Sequence, residues 1–479
     1  MTDFDLVVIG GGSGGLVVAA GGAQLGARVA LVERDRLGGD CLWHGCVPSK
    51  ALVAAARVAH DMRHAARFGL VAADPAPDIA RVMAHVRGVI AGIAPHDSPE
   101  RFRGLGVDVI FGRGRFVSPH AFAVDGRTLT ARAFVIATGS RPAVPPIPGL
   151  PDVRYLTNES VFSLAEPVPS LVVVGAGPVG CELAQAFARL GSRVTLVDGA
   201  ERVLPREDAD LADVVQRSLA ADGVTLHLRT NMEAVAASAD GIDATLRAPG
   251  STPLHVHATH LLLAAGRKLN TDGLGLEAAC VAMQADRIVL DAHLRTSMRH
   301  IYAIGDAAGG AQFTHVAEHH AGVVLRQALF RMFWSRPAAV IPWCTFTAPE
   351  LARVGVSEAE AQRQGLDHRV WRFSFADVDR ARTDVETAGF AKLITAADGT
   401  ILGAGIVGAH AGELIAELTL AMAKGLRAKD LSGVIHTYPT LASIARRVAD
   451  ERMKASLTPT ARRWLRRIFR LRGAPGPDA

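Results

Sequence analysis

Two cysteines, Cys41 and Cys46, stand five residues apart in GGDCLWHGCVPSK, in a chain with only five cysteines among 479 residues. At the start of a helix a thiolate is stabilised by the dipole and by free N–H groups, and two such sulfurs can close a strained, reducible disulfide. A buried pair of unrelated thiols fits the spacing equally well. A metal site fits less well, because no further Cys or His pair follows at ligand spacing. Cys181, Cys280 and Cys344 read as core or surface residues. So few thiols, odd in number, argue against a secreted disulfide framework and for a reducing compartment, where disulfide chemistry is catalytic.

Glycines supply a second chemistry. DLVVIGGGSGG carries Gly10, Gly12 and Gly15 in G-x-G-x-x-G spacing, and Glu33 closes the next apolar run 23 residues after Gly10. The first glycine permits a tight turn, the second lets backbone approach a pyrophosphate, and the third lets a helix pack closely; the acid accepts from a ribose hydroxyl. SLVVVGAGPVG repeats the unit with Gly175, Gly177 and Gly180, followed by Asp198, again 23 residues on. Two bound dinucleotides are implied. Asp198 would accept from a free 2′-hydroxyl and repel a 2′-phosphate, which favours NAD(H) over NADP(H), although Arg193 and Arg202 lie near enough to serve the latter.

The elements that must position these residues are ample. With 49% hydrophobic and 21% charged residues and a mean hydropathy of +0.21, the chain can build two to four domains and is not disordered. Residues 451–479 hold eight Lys/Arg against two acids, so the net charge of +5 belongs to this tail and the body is near neutral. Nucleic acid is not implied. The N-terminus lacks a basic n-region and a cleavage site, and the apolar stretches near 171–180 and 261–266 are too short to span a bilayer. An Ala/Arg-rich helical stretch is expected over about 49–95, short strands over 107–136 and 224–265, and a Pro-rich crossing at 141–151. From about 340, strand-like stretches precede helix-like AGELIAELTLAMAKG and SIARRVADERMKA, a separate α+β domain.

Two dinucleotide units flanking such a cysteine pair resemble the flavoprotein disulfide reductases, the family of dihydrolipoyl dehydrogenase, glutathione reductase and mercuric reductase. The likeness covers about residues 4–455 and includes ATG at 137–139, AAGRKLN at 264–270 and TSMRHIYAIGD ending at Asp306. It implies an α/β chain with two Rossmann-like domains and an α+β dimerisation domain: FAD-binding segments 1–148 and 267–338, an NAD(P)-binding domain 149–266, dimerisation domain 339–455, and a basic amphipathic tail 456–479. By the same resemblance FAD sits on Gly10, Gly12, Gly15, Glu33, Lys50, Thr138, Gly139 and Asp306, and NAD(P)H on Gly175, Gly177, Gly180, Asp198 and Gly266. Cys46 is then the charge-transfer thiolate against the flavin and Cys41 the exposed interchange thiol. Lys50 and Glu182 form an ion pair beside the ring, and the partner in a homodimer completes each site, so a monomer is inactive.

The pattern breaks in VIHTYPTLAS. Where dithiol-handling members carry a His before Pro and a Glu five residues later, this chain has Tyr438 and Ser443. A phenol donates a proton but is a poor base at neutral pH. His436 shares a face with Tyr438 in an extended chain and is a candidate substitute, although the family often has a His there anyway. Tyr438 is similar to mercuric reductase, but the terminal vicinal cysteine pair and N-terminal metal-binding domain of that enzyme are missing. Trp43 and His44 between the thiols are unusual; a charged His44 would lower a thiol pKa. His315, His319 and His320 read as structural or cofactor-lining. The expected function is electron transfer from NAD(P)H through FAD and Cys41/Cys46 to a small disulfide or soft electrophile, dihydrolipoyl dehydrogenase-like. The alternatives are mercuric reductase-like metal reduction and a redox-responsive membrane-peripheral flavoprotein. The tail places Trp464, Leu465, Ile468, Phe469 and Leu471 on one side of a helix among six arginines. It suits an anionic membrane surface, or a solvated or partner-docked helix, on an otherwise cytoplasmic protein.

Overall fold

A strand covered on both faces must be apolar at nearly every position, and FDLVVI meets this as β1 (Phe4–Ile9) in a computed structural model that describes residues 2–473. Successive side chains leave on opposite faces. Val7 and Ile9 join Val32, Phe134 and Ile136 in one core, whereas Leu6 and Val8 join Leu31, Ala133 and Val135 in another. Parallel pairing sets β2 (Val29–Glu33) and β6 (Arg127–Ile136) on either side of β1, with β3 (Asp108–Phe111) outside β2 and β18 (Ile301–Ala303) outside β6. The first half of β6 leaves this sheet for an antiparallel meander with β4 (Gly114–Ser118) and β5 (Ala121–Val124).

Small residues on α1 (Ser13–Gln24) let α8 (Thr314–Phe330) lie against it, with Leu325 beside Gly21 and Gly22. The thiol segment forms α2 (Gly39–Trp43) and α3 (Cys46–Arg63), followed by α4 (Ile79–Ile93) and α5 (Pro99–Gly104). The second nucleotide unit is a parallel sheet in the order β10 (Thr225–Leu228), β9 (Arg193–Asp198), β8 (Ser170–Val174), β14 (His260–Leu263), with α6 (Pro178–Arg189) after β8. Antiparallel β11 (Asn231–Ala237), β12 (Ile242–Arg247) and β13 (Leu254–Ala258) are inserted in the chain between β10 and β14. Strand β7 (Ser140–Pro142), within the stretch expected as a crossing, pairs β15 (Arg267–Leu269), and β16 (Met283–Gln284) pairs β17 (Arg287–Ile288).

The chain divides into two compact units, and the second comprises Arg67–Gly69, Ala200–Asp222 and everything from Val340 onward. Its sheet runs β19 (Pro342–Thr345), β20 (Glu350–Gly355), β23 (Ile401–Gly408), β22 (Phe390–Thr395), β21 (Arg369–Ser374). Helices α11 (Ala411–Ala423) and α13 (Ser443–Ser456) pack on this sheet. The short α9 (Glu358–Arg363), α10 (Asp379–Thr383) and α12 (Ala428–Ser432) lie between its elements in the chain, and α14 (Pro459–Phe469) ends it. Helix α7 (Ala209–Ala221) falls in this unit rather than with the rest of 149–266, because Leu211 packs at Gly405 and its acids meet Lys392. Residues 474–479 of the expected tail lie outside the described residues.

Candidate active site

Both glycine loops are shaped by what a side chain would strike. Gly10 has φ +109°, and a Cβ there would overlap the Ala137 carbonyl, while a Cβ on Gly15 would overlap the Gly10 carbonyl. Gly175 (φ +113°) and Gly180 reproduce the pair against Ala264 and Gly175. Helices α1 and α6 start at Gly12 and Gly177 without a side-chain cap, so their first-turn N–H groups are offered to an anion. A Cβ on Gly39 would run into Gly12, so a second glycine turn closes against the first. Such a cradle fits the pyrophosphate of FAD.

The two spaced acids rest on their own loops. Glu33 Oε2 accepts the Gly11 N–H at 2.6 Å and its Oε1 the Asp35 N–H at 2.9 Å; Asp198 Oδ2 accepts the Ala176 N–H at 2.6 Å. Each carboxylate therefore fixes the turn of its own glycine loop. Thr138 Oγ1 donates to the Asn270 carbonyl at 2.8 Å and Asn270 Nδ2 to the Thr138 carbonyl at 2.9 Å, tying ATG to AAGRKLN; Gly139 and Gly266 make the left-handed turns, at φ +67° and +113°.

Cys41 ends up on α2 and Cys46 at the first position of α3, both reduced and in hydrogen-bonding contact with each other. Cys46 Sγ lies 3.5 Å from Thr314 Oγ1, at the start of α8. The Cys41 thiol donating to it, then Thr314 and the Lys50 charge, lower the Cys46 pKa to about 6 against the opposing effect of burial. Cys41 is driven up, first by its bond to Cys46 and then by burial. One sulfur is thus the thiolate and the other keeps its proton. By exposure the order is the reverse of expectation: Cys46 is exposed and Cys41 half-buried. Cys41 nevertheless lines a cavity of about 310 Å³ with Ser13, Ile93, Asp97, Arg101 and Glu318, in which Cys46 takes no part. A larger cavity, about 490 Å³, opens on the second unit beside Arg372 and Glu451, but it has no thiol and no phosphate loop. Of these two, the smaller is the one walled by a thiol.

Lys50 Nζ meets the buried Glu182 Oε2 at 2.8 Å, as the family pattern anticipates. His44 does not serve the thiols: burial, then Arg36, lower its pKa, and its Nε2 faces Arg36 Nη2 at 3.0 Å. Arg36 also stacks on Trp43, whose Nε1 donates to the Leu37 carbonyl. Four residues that sequence reasoning passed over complete the site. Arg267 Nη2 meets Asp40 Oδ2 at 3.0 Å, Arg267 Nε donates to Ser140 Oγ at 2.6 Å, and Ser140 Oγ donates to Asp306. Asn158 Nδ2 bonds Asp40 Oδ1 at 3.0 Å. Burial pushes the Asp306 carboxyl up, against Ser140 and Arg267. An acid beside the thiol in GGDC and an arginine after Gly266 were the available signals.

In the second unit, His436 points inward: Nε2 meets both Glu417 oxygens at 3.0 Å and Nδ1 the Val434 carbonyl at 3.2 Å, so neither nitrogen is directed outward. Tyr438 is 75% exposed, with its hydroxyl donating to Asp379 Oδ2 at 3.2 Å. Ser443 Oγ donates to the Thr440 carbonyl. The other histidines are placed structurally. His320 accepts the Gly305 N–H, its pKa lowered to about 4 by burial; His319 accepts the Ala338 N–H; and His315 stacks on Phe313. No group of three or more His, Cys, Asp or Glu residues among the described residues could hold a metal ion.

Two phosphate cradles in one unit with a thiolate–thiol pair define an FAD-dependent pyridine nucleotide oxidoreductase that works through a disulfide. The chain belongs to the pyridine nucleotide-disulphide oxidoreductases, whose family model matches residues 4–321 and whose dimerisation-domain model matches 341–448, which makes a homodimer its assembly. A mercuric reductase of Streptomyces lividans is 36% identical over 449 residues, 92% of this chain and 94% of that one. A dihydrolipoyl dehydrogenase of Bacillus subtilis is 36% identical over 470 residues, 94% of this chain and 96% of that one. The Cu(II) complex of the HOCl-induced flavoprotein disulfide reductase RclA from Escherichia coli has a TM-score of 0.82 at 29% identity, covering 93% of this chain and 99% of that one.

Proposed function

We propose that the enzyme takes two electrons from a reduced pyridine nucleotide, stores them as the Cys41/Cys46 dithiol, and delivers them to a thiophilic electrophile, a soft metal ion before a small disulfide. FAD, when bound, supplies the hydride-accepting ring that joins the two half-reactions. The balance is one NAD(P)H and one proton consumed per disulfide opened to two thiols; on delivery the dithiol returns to the disulfide, giving up two protons as its two electrons reduce one Hg(II), two Cu(II) or one small disulfide. Glycines 10, 12 and 15, Glu33, Lys50, Thr138, Gly139 and Asp306 would hold FAD. Glycines 175, 177, 180 and 266 with Asp198 would hold the nucleotide, NAD(H) ahead of NADP(H), since Arg202 is already paired with Glu201. Cys46 serves as the low-pKa thiolate and Cys41 as the sulfur that meets substrate, with Tyr438 of the partner subunit facing it as proton donor.

One observation supports this reading: Cys41, and not Cys46, walls the cavity beside the first glycine loop. The choice of electrophile rests on the absent dyad, since neither Tyr438 nor the satisfied His436 is a base that could deprotonate a dithiol. A relative named for mercury and a neighbour bearing Cu(II) are in keeping with it. The test is NAD(P)H oxidation by holoenzyme with Hg(II), Cu(II), oxidised lipoamide and glutathione disulfide. Turnover is expected with the metals, lost in Cys41→Ala, and weak with lipoamide until Tyr438→His and Ser443→Glu are introduced together. Wild-type lipoamide turnover unaffected by those changes would overturn the metal preference; full activity in Cys41→Ala would overturn the whole reading.

A further inference from the structure

The matched dimerisation domain stops at residue 448, and residues 449–473 carry no cysteine. Beyond it α14 starts cleanly, with Pro459 at its first position and Thr458 Oγ1 accepting the Ala461 N–H at 3.1 Å. None of its residues is buried. Trp464, Leu465, Ile468 and Phe469 are 59%, 37%, 63% and 65% exposed. At 100° per residue these four lie within roughly 140° of the circumference, and Arg462, Arg463, Arg466 and Arg467 fill the other side. Leu471, expected in the same stripe, lies past the helix end, because Arg470 turns left-handed at φ +52°. No acid occurs between Ser456 and Gly473.

A partner for this helix must offer an apolar bed and dense negative charge side by side. Nucleic acid has the charge but no apolar bed, and a second copy would bring its own arginines against these. An anionic bilayer has both, with acyl chains a few ångströms below headgroup phosphates, and Trp and Arg suit that boundary. We infer that α14 is an interfacial anchor laying its Trp464–Phe469 face into the surface of an anionic membrane, with its arginines on lipid phosphates. No helix among the described residues is long and apolar enough to cross the bilayer, so this contact lies in its plane.

Cosedimentation of the full-length holoenzyme with vesicles of phosphatidylcholine alone, or mixed with phosphatidylglycerol, tests the anchor. Binding is expected only to the mixed vesicles, to weaken with salt, and to vanish on truncation after Ser456 with turnover unchanged. Ile468→Ser with Phe469→Ser, which keeps every arginine, is expected to cut partitioning more than about tenfold. Equal binding by that variant would mean a generic polyanion contact, such as duplex DNA also gives, and would overturn the proposal. So would equal binding to both vesicle types, or truncation that lowers the oligomeric state by uncovering an interface between copies.

Discussion

At the residue scale the site turns on an unequal pair of sulfurs. The cysteine spacing was legible and the resemblance named Cys46 as the thiolate, but the groups that stabilise it were not, because Thr314 lies 268 residues from Cys46 in the chain and is brought there only by the packing of α8 on α1. The inequality has a direct readout. In reduced protein stripped of its nucleotides, brief iodoacetamide labelling followed by peptide mass spectrometry reports each thiolate. Because thiolate forms as pH rises through the pKa, Cys46 labelling is expected to climb through about pH 6, while Cys41 stays unlabelled until well into the alkaline range. Replacing Cys41 with Ala removes the largest stabiliser and should move the Cys46 midpoint furthest upward, with Thr314→Val next and Lys50→Met last. Two thiols labelling in parallel with pH would contradict the assignment.

At the element scale, the apolar run and glycine turn of DLVVIGGGSGG and the periodicity of AGELIAELTLAMAKG specify β1, α1 and α11 by local pattern alone, and these elements were legible in the sequence for that reason. The helix after Asp198 was not. Its allegiance is set by charge pairing with distant strands, which no local period records. Lys392 on β22, its side chain 2% exposed, meets Asp208 Oδ2 and Asp210 Oδ1 at 3.0 Å and Glu358 Oε2 at 2.6 Å. Burial would lower the lysine's pKa, but Glu358, Asp208 and Asp210 hold it above its usual value. Lys392→Met leaves three carboxylates with only Arg372 to pair Asp210 and Glu358 and without their buried cation, and the expected cost to the second unit is about 3–5 kcal/mol, read as a fall in its denaturation midpoint. Burial works against the Asp210 carboxylate, yet Lys392 and Arg372 hold its pKa down. Its contribution is therefore full above the unfolded carboxylate value and lost as pH falls through the lowered folded one. The cost of Lys392→Met should shrink in acid on the same schedule, and a pH-independent cost would point to packing instead.

At the scale of the assembly, a homodimer built through the family's dimerisation domain raises the question of which subunit supplies the proton donor to a given thiol pair. Tyr438 sits on the second unit with Ile435 three residues before it, 75% and 93% exposed, a tyrosine and an apolar residue held at the surface rather than folded into a core. If Tyr438 serves the partner's Cys41, the site is shared and complementation follows from two-fold symmetry. Cys41→Ser and Tyr438→Phe homodimers are each expected to be nearly inactive. When the two are unfolded and refolded together, each mixed dimer has one site carrying both changes and one carrying neither. Random pairing makes about half the dimers mixed, so about a quarter of wild-type turnover should return, rising with refolding time as subunits exchange. A site enclosed within one subunit would leave every site with one defect, and mixing would restore nothing. The magnitude matters as much as the sign: recovery near a quarter fixes one intact site per mixed dimer, whereas substantial turnover by the Tyr438→Phe homodimer on its own would mean that the donor is another group.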